Sequence, residues 1–350
     1  MSDVDKSAVT QTENVSDKPR RRGCLGHCAR FWWAYLIVLV IIVVIVVPVV
    51  LLVGVPKIAQ QKLDDAQLEL DGITVSNTQT QNMTMAINST IRSDGSVHAT
   101  IDAFQGVMYL EDKQPNTPFA KIDFPQTNSD AFQTVNVSQF LPIDDVQALT
   151  VFNTWLLANE SLRVTVLGDT HVRVRGISRD YPVTFKKTVS MPGLNAFTGT
   201  VVNQTSISLE LDVNGNNFNA TAYIPNRSLF DFELGNVTFR NYLFGKEIGT
   251  VYIDNLRVRP GMNVYHMRAT IEQGPVVDAL GRPEYCQGPN KGILPFEISG
   301  KSVVNHGQPL SYFADALAAV NQSIPINIGA GIKNSLGIDV PCSNNTGSHS

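Results

Sequence analysis

Ten Asn-x-Ser/Thr sequons punctuate this 350-residue chain beyond residue 55, at Asn82, Asn88, Asn136, Asn159, Asn203, Asn219, Asn226, Asn236, Asn321 and Asn344, and only Asn14 precedes them. Each offers an asparagine amide for N-glycosylation, and each glycan would mark a surface position on the lumenal or extracellular side of a membrane. The four cysteines divide along the chain. Cys24 and Cys28 sit in a basic stretch, where such thiols take palmitate or stay as plain thiols. Cys286 and Cys342 form an even pair far downstream, which favours one disulfide closing a long loop. In the chain-entropy description such a bridge contributes about 3–5 kcal/mol. His27 lies between Cys24 and Cys28, but no second ligand pair follows to complete a metal site.

Residue patterns that carry catalysis are not found. His27, His98, His171, His266, His306 and His349 form neither H-x-x-x-H nor H-E-x-x-H. The chain has no G-x-S-x-G nucleophile elbow and no Walker loop. His171 alternates with Arg173 and Arg175 like the exposed face of a strand. Asp144 and Asp145 read more simply as a helix cap than as a carboxylate pair. Asp212, Asn214, Asn216 and Asn217 surround Gly215, yet the stretch lacks the bidentate Glu of a calcium loop and reads as a hairpin turn. The expectation is a protein that is not an enzyme, with no catalytic residue, no metal and no cofactor.

The element that must place all of this is an apolar run. Phe31 to Val55 contains 25 consecutive uncharged residues, almost all apolar. At ~1.5 Å per residue it spans a ~30 Å hydrocarbon core as one helix. It has no polar face, as a soluble core helix would, and it exceeds the ~7–15 residues of a signal-peptide apolar region. It reads as an uncleaved signal anchor, with Pro48 as a point of kinking. Lys18, Arg20, Arg21, Arg22 and Arg30 precede it with no acidic residue between Lys18 and Arg30, so the N-terminus is expected in the cytosol. Residues 56–350, with all ten sequons, then face the lumen or the outside. Residues 1–30 read as a disordered basic cytosolic tail and 343–350 as a second disordered tail. The whole chain has a formal net charge of −4, and residues 1–33 hold six basic and four acidic residues, leaving about −6 beyond them. That balance, and the compartment, argue against a nucleic-acid partner.

Beyond the anchor the pattern is mainly β. Ile207, Leu209, Leu211 and Val213 alternate with polar residues and lead into Asn214-Gly215. Leu162, Val164 and Val166, then Val172 and Val174, alternate in the same way, as do Val251 and Ile253 before Arg259-Pro260-Gly261. Asp94-Gly95 and Pro192-Gly193 are further turn signals. Two segments have helical spacing instead: Asp144–Asn159, capped by Asp144 or Asp145, and Leu310–Asn321, capped by Ser311. The pattern strands–helix–strand thus occurs twice. It predicts a helical stalk over 56–71 and two tandem antiparallel β-sandwich-like domains, 72–190 and 196–342, each with one helix.

The stretch Asn219 to Asn263 carries a family resemblance. Tyr223-Ile224-Pro225-Asn226 ends one strand with a turn, Leu234-Gly235-Asn236-Val237 begins the next, Gly245 to Gly249 forms a G-x-x-I-G hairpin, and Arg259-Pro260-Gly261 precedes the last strand. These resemble the core of the late-embryogenesis-abundant type 2 (water-stress and hypersensitivity) β-sandwich, with Pro225 before Asn226 where the family pattern places proline after asparagine. With the anchor and the helix at 144–159, the chain is similar to a fungal family of single-span membrane proteins with an AsmA-like ectodomain. The resemblance implies a β-sandwich ectodomain, single-pass topology, and a vacuolar or other late-secretory membrane, with the plasma membrane as an alternative.

The resulting functional expectation is a membrane-tethered binding module for a lipid, another hydrophobic ligand or a lumenal protein partner. The aromatic-rich residues Phe230, Phe232, Phe239, Tyr242 and Phe244 are the candidate lining of an apolar groove. The alternative is a structural adaptor that links the ectodomain to cytosolic machinery, in vacuolar or autophagy regulation.

Overall fold

The computed structural model describes residues 24–339 and 342, with side chains from Trp32 onward. Most of both predicted tails, the Asn344 sequon and the Cys24 and Cys28 side chains lie outside what is described. The chain divides into two compact units, Met1–Val55 and Pro56–Ser350. In the first, helix α1 (Cys24–Val49) runs into a single π-helical turn, Val50–Gly54. Pro48 lies just before that turn, and its missing N–H explains a local change of hydrogen-bond register. Trp32–Asp65 is the one helical run among the described residues that is long and apolar enough to cross a membrane.

The second unit is mainly β. It opens with α2 (Val55–Asp65), followed by β1 (Gln67–Ser76) and β2 (Asn82–Arg92). Next come β3 (Ala99–Ile101), β4 (Phe104–Leu110), β5 (Ala120–Phe124), β6 (Thr127–Asn128) and β7 (Phe132–Pro142). Helix α3 (Val146–Ala158) precedes β8 (Ser161–Val174), β9 (Asp180–Pro192), β10 (Val201–Ile207) and β11 (Phe218–Asn226). Then follow β12 (Phe230–Leu243), β13 (Lys246–Val258), β14 (Gly261–Ile271), α4 (Gln273–Leu280) and α5 (Pro283–Cys286). The chain closes with β15 (Ile293–Asn305), β16 (Gln308–Pro309), α6 (Ser311–Ala318), β17 (Gln322–Asn327) and α7 (Ile328–Leu336).

The strands form two sheets. The smaller has the order β5-β4-β8-β3-β6, with β9 on the other edge of β8. The larger has the order β10-β11-β14-β13-β12-β1-β2-β7, with β15 also pairing β12 and carrying β16 and β17. β12 changes partner along its length. Phe230–Phe232 pairs in parallel with Ile73–Val75 of β1, and Asn236–Leu243 pairs antiparallel with β15. The change coincides with a bulge at Gly235, which takes φ 78°, and a Cβ there would lie 2.6 Å from the Val304 carbonyl oxygen. Only glycine meets both conditions. The predicted break between 190 and 196 falls at the end of β9, while β1, β2 and β7 join the sheet built from the later strands. A polar network also ties the halves together: Asn305 donates to Thr78 Oγ1 at 2.9 Å and to Glu233 at 3.1 Å, and the Asn77 N–H donates to Glu233 at 2.8 Å.

Four local expectations are corrected. The stalk is shorter than 56–71, because Leu68 and Leu70 alternate within β1, which already pairs with β2 at Gln67. Its helical part lies against the edge strand β9: Gln60 donates to the Thr184 carbonyl and accepts from the Thr184 N–H, replacing a missing neighbour strand. Lys187 closes the same helix end by donating to the Asp64 and Ala66 carbonyls; burial holds its ammonium below the usual lysine range, against the pull of Asp64 and Asp65. Second, Asp145 caps α3 by accepting from the Ala148 N–H, but Ser311 is the first residue of α6 and makes no cap bond. Third, the later half has more than one helix, since α4, α5 and α7 flank the sheet. Fourth, β10 ends at Ile207. Asp212 accepts from the Asn214 and Asn216 N–H groups, so 208–217 folds as a loop and leaves Leu209, Leu211 and Val213 exposed.

Candidate ligand-binding site

The site is built by β10, β11, β14, β13, β12, β15 and β17. β17 returns to lie against β10, so the seven strands curl round one interior. Alternation points every second residue of β11 inward: Phe218, Ala220, Ala222, Ile224 and Asn226 are buried and their neighbours are not. β14 likewise turns Met267 and Ala269 inward. Alanine at two of these positions, Ala222 and Ala269, leaves volume that leucine or valine would fill. The result is an inner chamber of about 50 Å³, walled by Ala222, Phe239, Val251, Ala269 and Ile298 among others.

A larger outer chamber of about 230 Å³ adjoins it. The two share Phe218, Ile271, Phe296 and Ile328 as common walls. Val276 and Val277 of α4, Ile332 and Leu336 of α7, and Leu209 and Ile338 complete the outer chamber. No ionisable side chain lines either chamber. The polar residues of the outer chamber, Asn217 and Gln273, are occupied with structure. Asn217 Nδ2 donates to the Ile271 carbonyl at 2.8 Å, and its Oδ1 accepts from the Ile271 N–H at 2.9 Å. Gln273 Nε2 donates to the Ser208 and Leu209 carbonyls, both at 3.0 Å, fixing the loop against α4.

Helix α7 forms one wall of the mouth and is fastened at several points. Asn327 caps it by accepting from the Ala330 N–H, Ser335 Oγ accepts from the Ile207 N–H, and Gly337 ends it with φ 70°. Cys286 and Cys342 are joined by a disulfide with Cα atoms 5.2 Å apart, as expected from the sequence. That bond ties the segment after α7 to α5, which follows the other wall of the mouth.

The predicted groove residues are mostly elsewhere. Phe230 and Phe232 stack on each other at 5.0 Å and pack against Phe152 of α3 and Phe313 of α6. Tyr242 points to the opposite face from Asn241, and Phe244 sits in the β12–β13 turn with the Arg282 guanidinium 4.5 Å from its ring centroid. Of the five, Phe239 lines the inner chamber, and Phe232 lines a separate small pocket beside Phe313 and Leu157. An aromatic-rich stretch does not by itself distinguish a filled core from a pocket wall.

The sequons also separate. Asn88, Asn136, Asn203, Asn236 and Asn321 are exposed, and Asn82, Asn159 and Asn219 are half-buried. Asn226 is corrected: it is 3% exposed, its Nδ2 donates to the Phe230 and Val258 carbonyls, and its Oδ1 accepts from Ser228. An amide used in this way leaves no room for a glycan. Asp144 pairs with Lys121 at 2.7 Å, and His171 is exposed.

A family model described as a protein of unknown function, DUF3712, matches residues 117–241. That span runs from just before β5 to Asn241 of β12 and includes all of β11. No curated protein matches the chain. Among solved structures, a Bordetella pertussis protein described as ApaA is 11% identical, with a TM-score of 0.22, and the match covers 36% of this chain and 91% of that one. An Archaeoglobus fulgidus protein is 6% identical, with a TM-score of 0.22, covering 36% and 94%. Red sea bream transglutaminase is 12% identical, with a TM-score of 0.26, covering 78% and 33%.

Proposed function

We propose that this chain is a membrane-anchored, non-enzymatic binding protein that holds an apolar ligand in the paired chambers of its second unit. The observation that carries the reading is a two-chamber pocket with no ionisable side chain on its walls. Burial of hydrocarbon there gains about 25 cal/mol per Å² removed from water, whereas a charged group would enter without a partner. The ligand is therefore a lipid or another hydrocarbon-rich molecule.

The topology belongs to the same proposal. The basic residues before the apolar helix support a cytosolic N-terminus, and the exposed sequons support a glycosylated lumenal or extracellular β unit. The resemblance to the late-embryogenesis-abundant type 2 fold and to fungal single-span proteins with AsmA-like ectodomains favours a vacuolar or other late-secretory membrane. Endoglycosidase treatment of the full-length protein tests the topology, and a mobility shift is expected. Photolabelling tests the pocket. A photoactivatable alkyl lipid is expected to label the full-length protein in vesicles saturably, and Val277→Trp, at the mouth, is expected to reduce that labelling severalfold. Labelling that does not saturate, or that ignores Val277→Trp, counts against the pocket.

A further inference from the structure

The inner chamber is not uniformly apolar. Asn241 of β12 and Gln322 of β17 line it, at 3% and 6% exposure. Both stand opposite Ile298 of β15, Asn241 on one side and Gln322 on the other, so the three residues form one row across adjacent strands. Residues opposite one another in antiparallel strands share a face, and here that face is the chamber. Among the described residues, Asn241 Oδ1 and Gln322 Nε2 have no hydrogen-bond partner in the protein. Asn226, Asn263 and Asn305, also buried, bond to neighbouring groups, whereas Asn216 Oδ1, outside the chamber lining, shares the lack of a partner. A buried amide without a partner destabilises the fold, so such a group calls for a role.

We propose that Asn241 and Gln322 form a subsite for one uncharged hydrogen-bonding group, such as a hydroxyl, at the inner end of an amphiphilic ligand. The proposal rests on the pocket reading above and adds ligand class and orientation. An acceptor and a donor face the same small space, which suits a hydroxyl that both gives and accepts a hydrogen bond. The ~50 Å³ of the inner chamber holds such a group, and the larger outer chamber holds hydrocarbon behind it. The ligand thus binds polar end inward with its chain towards α4 and α7. A carboxylate is rejected because no cation lines the chamber.

The test uses full-length protein in phosphatidylcholine vesicles, labelled by a hexadecanol bearing a diazirine in its chain. Unlabelled 1-hexadecanol, hexadecane and palmitate compete. Hexadecanol is expected to compete at about tenfold lower concentration than hexadecane, with palmitate no better than hexadecane. Asn241→Leu with Gln322→Leu is expected to retain labelling and erase the preference for the alcohol. Equal competition by alcohol and alkane in the wild type overturns the subsite while leaving the pocket intact; the amides then serve only water. Preference for palmitate, or an alcohol preference that survives both substitutions, also overturns it. Absence of saturable labelling removes the pocket and the subsite together. The wild-type competition order decides the matter even where the double variant fails to fold.

Discussion

Around the smaller sheet the interior is filled by large rings. Phe104, Phe124 and Phe185 meet with centroids 5.1–6.2 Å apart, and Phe119 stacks on Phe152 at 4.0 Å. Inside the curl formed by β10 to β15 and β17, the corresponding inward positions of β11 and β14 include Ala222 and Ala269, and two adjoining chambers remain. Both regions follow the same alternation and the same antiparallel pairing. Side-chain volume at a few inward positions is what separates a packed core from a binding cavity.

Truncation should cost most where packing is complete. Phe152→Ala removes a ring that is 3% exposed, and about 3–5 kcal/mol of stability is expected to go with it, read from denaturant unfolding of the full chain by circular dichroism. Replacing Cys286 and Cys342 by Ser opens a crosslink across 56 residues and is expected to cost roughly 2–4 kcal/mol. The same unfolding curves, compared with and without reductant, check it.

Addition of volume should separate the regions more sharply than its removal. A Cβ on Gly106 in β4 would meet the Phe124 ring at 2.9 Å and Val166 Cγ1 at 3.0 Å, so Gly106→Ala is expected to destabilise by about 1–3 kcal/mol. Ala222→Val extends into the inner chamber and is expected to change stability by less than about 1 kcal/mol. Equal penalties for the two substitutions would remove the distinction between filled and hollow regions.

The smallest expected effect concerns the network that joins the halves. Burial raises the Glu233 carboxyl, but the donors Asn305, the Asn77 N–H and His306 outweigh it and hold the group below the usual glutamate range. Its folded pKa is thus lower than its unfolded value of about 4.3. The contribution is present above that value and is lost as pH falls through the folded pKa. The stability difference between wild type and Glu233→Gln should therefore shrink as pH is lowered below about 4, as paired unfolding titrations would show.

Much of this organisation was legible in the residues. The apolar run, a cap at Asp144 or Asp145, the turn at Gly245 and the Cys286–Cys342 bridge follow from local chemistry. The site was less legible. The alanines at 222 and 269 were visible in the sequence, but a small inward residue makes a cavity only if no neighbour fills the space, and that depends on pairing between distant strands. Leu209, Leu211 and Val213 carried a strand-like alternation that the Asp212 turn overrode, and Leu209 became part of the mouth. Asn241 and Gln322 come from strands separated by about 80 residues and share a chamber only through β15.

The central claim is that the hollow region is a ligand site, and the most direct measurement is the location of photo-adducts. Full-length protein would be labelled in vesicles with a chain-diazirine lipid, digested, and mapped by peptide mass spectrometry. Adducts concentrated in 207–218, 273–280 and 328–338 are the predicted result. Adducts confined to residues 31–55 would show that the probe meets the chain only at its apolar helix, and would contradict the account.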